Sequence, residues 1–137
     1  MNLTETPENV TWPETHYVFL EKIGPFQNTA PQAWQEFVKL VPAISEHNQV
    51  KGMFSLYKVG PKVYRAGASI ASAPQKLPAE VLHEKFKGGK YIKFVLTGPY
   101  SNLPQASGRV FEIVAEKKIQ MRDDYCIELR QRSENHA

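Results

Sequence analysis

The chain has 137 residues, 42% of them hydrophobic and 23% charged, with a formal net charge of +3 at pH 7. That is one domain of ordinary size with enough apolar material for a real core, and no apolar run approaches the roughly 18–20 residues that span a bilayer. A single cysteine, Cys126, excludes an internal disulfide and a cysteine-rich zinc site, and the polar, acidic N-terminus lacks the segments of a signal peptide, so a reduced, cytoplasmic setting is expected.

In chain order, residues 1–14 read as a loose arm broken by Pro7 and Pro13. β-Branched and aromatic density from Tyr17 to Ile23 predicts a strand ended by Gly24-Pro25. Thr29 then offers a helix cap, with Pro31 in the first turn and Gln32 completing a T-x-x-Q capping box. Ala33, Trp34, Phe37, Val38, Val41 and Ile44 recur at three- and four-residue spacing as one apolar helix stripe, which Pro42 ends or kinks. Met53–Lys58 and Val63–Ala71 follow as a hairpin around Val59-Gly60-Pro61-Lys62. Pro74 and Pro78 mark a connection with a short helical turn across Ala79–Phe86. Lys85, Lys87, Lys90 and Lys93 are the densest basic stretch, but no nucleic-acid recognition motif accompanies them, and they read as a solvated edge or loop. The chain then runs through a strand, Tyr91–Thr97, a turn at Gly98-Pro99, a cap at Asn102 and a helix through Val110, Phe111 and Val114. A final strand, Tyr125–Arg132, precedes a polar tail, residues 133–137.

The two halves repeat one another. Tyr17-Val18-Phe19-Leu20 leads into Gly24-Pro25-Phe26-Gln27-Asn28, and 74 positions later Tyr91-Ile92-Lys93-Phe94 leads into Gly98-Pro99-Tyr100-Ser101-Asn102. The expected fold is therefore α+β: two pseudo-symmetric strand-helix-strand-strand units, residues 15–73 and 74–132, forming a mainly antiparallel sheet. The helices would cover one face, and a ligand cleft would lie at the pseudo-twofold, because neither unit can bury its sheet alone. The second unit is one strand short. Either Val10-Thr11-Trp12 of the arm fills that edge, or an open edge strand pairs in a homodimer.

Strand alternation sorts the side chains. Ile127 and Leu129 are expected to face the helices, which sends Glu128 to the other face. The same logic for Phe54 and Leu56 sends Met53, Ser55 and Tyr57 to that face beside Glu128, with Tyr17, Phe19 and Tyr91 from the preceding strands. Aromatics, a methionine and one carboxylate suit a pocket better than a solvated face. Glu128 sits mid-strand between two aliphatics, where a glutamate has poor propensity and a buried carboxylate needs a partner. A cation stacked between rings would supply one; Arg130 or Lys93 in an ordinary ion pair would equally do so. Trp34 is most simply core, with its indole within reach of the cleft floor. His16, His47, His83 and His136 are scattered without metal-pair spacing and read as surface residues. Cys126 has no histidine placed in sequence to activate it, and Gly88-Gly89-Lys90 is not a phosphate loop. No cofactor or metal motif is present.

Gly88-Gly89-Lys90-Tyr91 through Thr97-Gly98-Pro99-Tyr100, followed by a helix and Cys126-Ile127-Glu128-Leu129, resembles the second half of the GyrI-like small-molecule-binding domain. Tyr64-Arg65-Ala66-Gly67 resembles the third strand of its first half. The resemblance covers roughly residues 15–132. That domain is the effector module of AraC-type and MerR-type multidrug-sensing bacterial regulators. The resemblance implies a cleft in which a central glutamate, here Glu128, and aromatic neighbours, among them Tyr91 of the G-K-Y motif, receive lipophilic cations. Where the family continues with a tyrosine this chain has Arg130, which would temper the preference for cations. The regulators' DNA-binding helices are not expected here, since no room remains for them, and a separate DNA-binding or enzyme partner would take their place.

The reading that follows is a stand-alone, non-enzymatic module for amphipathic, cationic aromatic molecules, with no direct nucleic acid or membrane partner. Its ligand-binding residues would be Glu128, Tyr91, Tyr57, Tyr17, Phe19, Met53, Ser55 and Trp34. Two alternatives come from other relatives of this fold. One is a small hydrolase using Glu128 as general base with Tyr91 on strained electrophiles; the other is a gyrase-inhibitor-like module that docks on a larger enzyme.

Overall fold

The computed structural model describes residues 2–3, 8–94, 96–97, 103–119 and 125–129. In chain order the elements are β1 (Asn2–Leu3), β2 (Glu8–Trp12), β3 (Thr15–Ile23), α1 (Phe26–Ser45), β4 (Val50–Lys58), β5 (Val63–Ile70), β6 (Leu82–Phe86), β7 (Gly89–Lys93), β8 (Leu96–Thr97), α2 (Leu103–Glu116) and β9 (Cys126–Leu129). The fold is α+β, and every described ladder is antiparallel. Five strands form one sheet in the order β6-β3-β5-β4-β9, while β2 pairs with β7 and β1 with β8.

These pairings divide the chain into two compact units. One is drawn from Met1–Trp12 and Gly88–Asp123, the other from Pro13–Lys87 and Asp124–Gln131. The division follows strand exchange and not the sequence repeat. The arm expected to be loose supplies β2, paired with β7 over Glu8↔Lys93 to Trp12↔Gly89. The last strand of the second repeat is β9, which adds to β4 of the first.

Within the larger unit, α1 packs on β3 and β5. Ala33, Trp34, Phe37 and Ile44 from the helix meet Val18, Leu20, Tyr64, Ala66, Ala68 and Ile70 from the sheet in one buried cluster. The helix starts before the expected cap. Pro25 is the N-cap residue, accepting from the amides of Asn28 and Thr29 at 2.9 and 3.0 Å, and the Thr29 hydroxyl turns back to the same carbonyl at 3.2 Å. Thr29 is thus an interior helical residue that binds its own preceding turn. Pro42 does not end the helix, which runs on to Ser45, where burial of Ile44 outweighs one missing backbone bond. Of the segment expected to turn helically at Ala79–Phe86, residues 79–80 do turn, closed by the Val81 amide on the Pro78 carbonyl at 3.0 Å, but Leu82–Phe86 is instead the edge strand β6, recruited by the free side of β3 from Thr15↔Phe86 to Phe19↔Leu82. Asn102, expected as a cap, and residues 130–132 of the last strand lie outside the described residues. Among those described, no helix is long and apolar enough to cross a membrane.

The centre of the opposite face of the sheet is also buried. Tyr17, Phe19, Phe54 and Leu56 are each at most 3% exposed, and the Tyr17 ring stacks on Phe19 and Phe54 with centroids 5.2 and 4.7 Å away. Gly67 makes this stack possible. A Cβ there would meet Tyr17 Cζ and Phe19 Cβ at 2.7 Å, besides the Val18 carbonyl oxygen. Gly67→Ala should therefore destabilise the fold by about 1–3 kcal/mol, the ordinary cost of overpacking, read as a lowered urea midpoint with unchanged slope. An unchanged midpoint would show that the Tyr17 stack does not need the gap.

Candidate functional site

The two faces of the larger unit separate the residues expected to share one cleft. On the face away from α1, Tyr17 is fully buried, and its hydroxyl donates to the carbonyl oxygens of Phe54 at 2.8 Å and Arg65 at 3.3 Å. Burial pushes its phenol well above the ordinary tyrosine range, with the Tyr64 ring adding to the rise. Phe19 already has a cation: the Arg65 guanidinium lies 4.4 Å from its ring centroid and 4.5 Å from that of Tyr125. Arg65 also donates to Glu21 at 2.8 Å and Glu84 at 2.7 Å. Tyr17 and Phe19 are thus part of a filled core and an internal cation–aromatic–carboxylate cluster.

Met53, Ser55, Tyr57 and Glu128 face the other way, toward α1, which corrects the assignment made from alternation. Met53 and Tyr57 pack against the α1 cluster. Cross-strand register carries this phase outward, since directly opposed residues share a face: Ser55 pairs with Ala66 on one side and with Glu128 on the other. Phe54 and Leu56, opposite Leu129 and Ile127, point to the Tyr17 face. The expectation failed because it assumed that aliphatics seek the helix, whereas here each face has its own apolar layer.

At the border between α1 and β4 lies a compact polar knot. The Trp34 indole N–H is shared between Tyr64 OH at 2.9 Å and Ser55 Oγ at 3.1 Å, and those two oxygens are 2.7 Å apart. All three residues are buried. The Tyr57 and Tyr64 rings stack at 18° with centroids 6.3 Å apart, and Phe26 meets both, at 5.6 and 5.7 Å. Glu128, half-buried on the adjacent strand, is the next side chain in register beyond Ser55. One face thus gathers three aromatic rings, an indole, a methionine, a satisfied hydroxyl pair and one carboxylate.

Tyr64 and Phe26 had not been singled out for this site. Tyr64 was readable from β5, where Ala66 and Ala68 are the small residues that let a helix approach; their phase includes Tyr64.

The model of the GyrI-like small molecule binding domain matches residues 5–136. The chain belongs to this family. No curated protein matches it at a significant level. The GyrI-like assignment agrees with the α+β architecture and makes small-molecule binding the general activity expected of the domain. Tyr91 lies in the smaller compact unit, where with Asn9, Val10, Thr11 and Lys90 it lines a cavity of about 310 Å³.

Because the Tyr17 phenol is raised in the folded state, its neutral form binds a proton that the unfolded chain releases first. That contribution is fully present below the ordinary tyrosine pKa of about 10 and is lost as pH climbs through the folded value. Unfolding free energy should thus fall above about pH 10, and Tyr17→Phe should flatten that fall while removing two hydrogen bonds. Equal alkaline slopes for the two proteins would refute the assignment.

Proposed function

We propose that this GyrI-like domain binds amphipathic, cationic aromatic molecules, without turning them over, on the α1 side of β4 and β9. The supporting observation is the register that sets Glu128 beside Ser55 on the face where Trp34, Tyr57 and Tyr64 cluster. A carboxylate at the rim of an aromatic surface attracts an organic cation twice, through direct charge and through the ring quadrupoles. Met53 supplies adaptable apolar wall, since an unbranched thioether repacks around different shapes. The Trp34–Ser55–Tyr64 knot contributes rigidity: its polar atoms bond to one another and hold the rings in place.

The reading keeps Glu128, Tyr57, Met53, Ser55 and Trp34 of the expected set and adds Tyr64. It gives Tyr17 and Phe19 to the core. A role for Tyr91 as a ligand-facing ring rests on the G-K-Y resemblance alone.

Tryptophan fluorescence tests the proposal, because Trp34 belongs to the knot. Titration with a lipophilic aromatic cation should saturate, and Glu128→Gln should weaken that binding about tenfold or more, the scale of one charge-assisted contact. A neutral isostere should bind both proteins alike. If the cation binds the Gln variant as tightly as the parent, Glu128 is not its counter-charge.

A further inference from the structure

We propose that His16 and His83 form an open, two-histidine site for a divalent transition-metal ion on the ladder between β3 and β6. Their spacing hides the pair, for they lie 67 positions apart. Register unites them. His16 pairs with Lys85 and Val18 with His83, so the two imidazoles are diagonal neighbours on the α1 side, where Val18 also points. His16 Nδ1 and His83 Nε2 are 3.2 Å apart, and the rings stack at 25° with centroids 5.4 Å apart.

That spacing fits a shared ion. Two nitrogens 3.2 Å apart, each about 2.0–2.1 Å from one metal, subtend an angle of about 100–106°, between the square and tetrahedral values. Coordination requires each neutral ring to carry its proton on its other nitrogen, so the hydrogen bond between the rings gives way to two metal bonds through a tautomer change, with no net proton lost.

The donor set indicates the class of ion. No group of three or more His, Cys, Asp or Glu that would hold a metal occurs among the described residues, so water would complete the shell. The neighbouring carboxylates are engaged elsewhere, Glu84 with Arg65 at 2.7 Å and Glu14 with Lys85 at 3.3 Å. Two imidazoles without thiolate or carboxylate favour Cu²⁺ over Zn²⁺ and Ni²⁺ and exclude Mg²⁺ and Ca²⁺. The chelate exists only while β6 is paired with β3, so an ion there clamps the edge strand and stabilises the fold by mass action.

Tag-free protein titrated with Cu²⁺, and separately with Zn²⁺, tests this. One equivalent should bind, raise Tm by several degrees, and do neither in His16→Gln or in His83→Gln, while His47→Gln behaves as the parent. In the unmodified protein, Cu²⁺ should broaden the ring-proton NMR signals of His16 and His83 before those of His47 and His136, a result that does not depend on any variant folding. Binding that survives both single substitutions, broadening that begins at His47 or His136, or no saturable binding would overturn the site.

Discussion

The thinness of β5 on both sides decides where the rest of the larger unit can go. Toward α1 it presents Ala66 and Ala68, which are fully buried and let the helix lie close over the sheet. On the other side Gly67 leaves room for the Tyr17 ring, whose hydroxyl reaches across β5 to the Phe54 carbonyl of β4. A buried phenol must find an acceptor, and this one does so only because no side chain stands between. Small residues on alternating sides of one central strand therefore fix the distance of the helix and the depth of the opposite aromatic layer at once.

The two faces treat charge differently. Away from the helix, the cation is built in: Arg65 sits between Phe19 and Tyr125 and is neutralised by Glu21 and Glu84. The planar guanidinium satisfies both the stacking and the carboxylate geometry, which a lysine ammonium would not reproduce. Lys58 lies 4.7 Å from the Tyr125 ring centroid as well, so the residue that leads into β9 is held by two cations. The strand carrying Glu128 is thereby anchored through its far side, leaving its α1-side register to be set by Ser55 and Tyr57.

Much of the fold was legible because it rests on local chemistry. β3, the β4–β5 hairpin, both helices and β9 follow from β-branched density, turn residues and helical periodicity, and the G-K-Y and Cys126–Leu129 segments carried the family resemblance. The phase of β4 was not legible from β4 itself. Met53-Phe54-Ser55-Leu56-Tyr57 offers apolar side chains to both faces, so alternation separates two sets without saying which meets the helix. β5 resolves the ambiguity, since Ala66 and Ala68 mark the helix side and Tyr57↔Tyr64 transmits it. β6 was missed for a related reason: Leu82-His83-Glu84-Lys85-Phe86 has no strand pattern of its own and is extended because β3 offers unpaired backbone. The His16–His83 contact depends on that ladder, and no spacing rule would have found it.

The location of the candidate site follows from how far α1 reaches. The helix lies over β3 and β5 and reaches β4 in two ways, through the Trp34 indole N–H on Ser55 and through the Phe26 ring on Tyr57. A purely apolar contact there would favour continued burial, whereas a buried N–H and two hydroxyls must be bonded before anything packs over them. Ser55 and Tyr64 meet that demand together with Trp34, so the knot forms a finished polar boundary within the protein. Beyond it, in register, comes the half-buried carboxylate of Glu128. The sequence of surfaces across β5, β4 and β9 thus runs from closed apolar core through a satisfied polar seam to a carboxylate beside aromatic rings. That gradient is what supports the proposed preference for a ligand that brings both a positive charge and a flat apolar body.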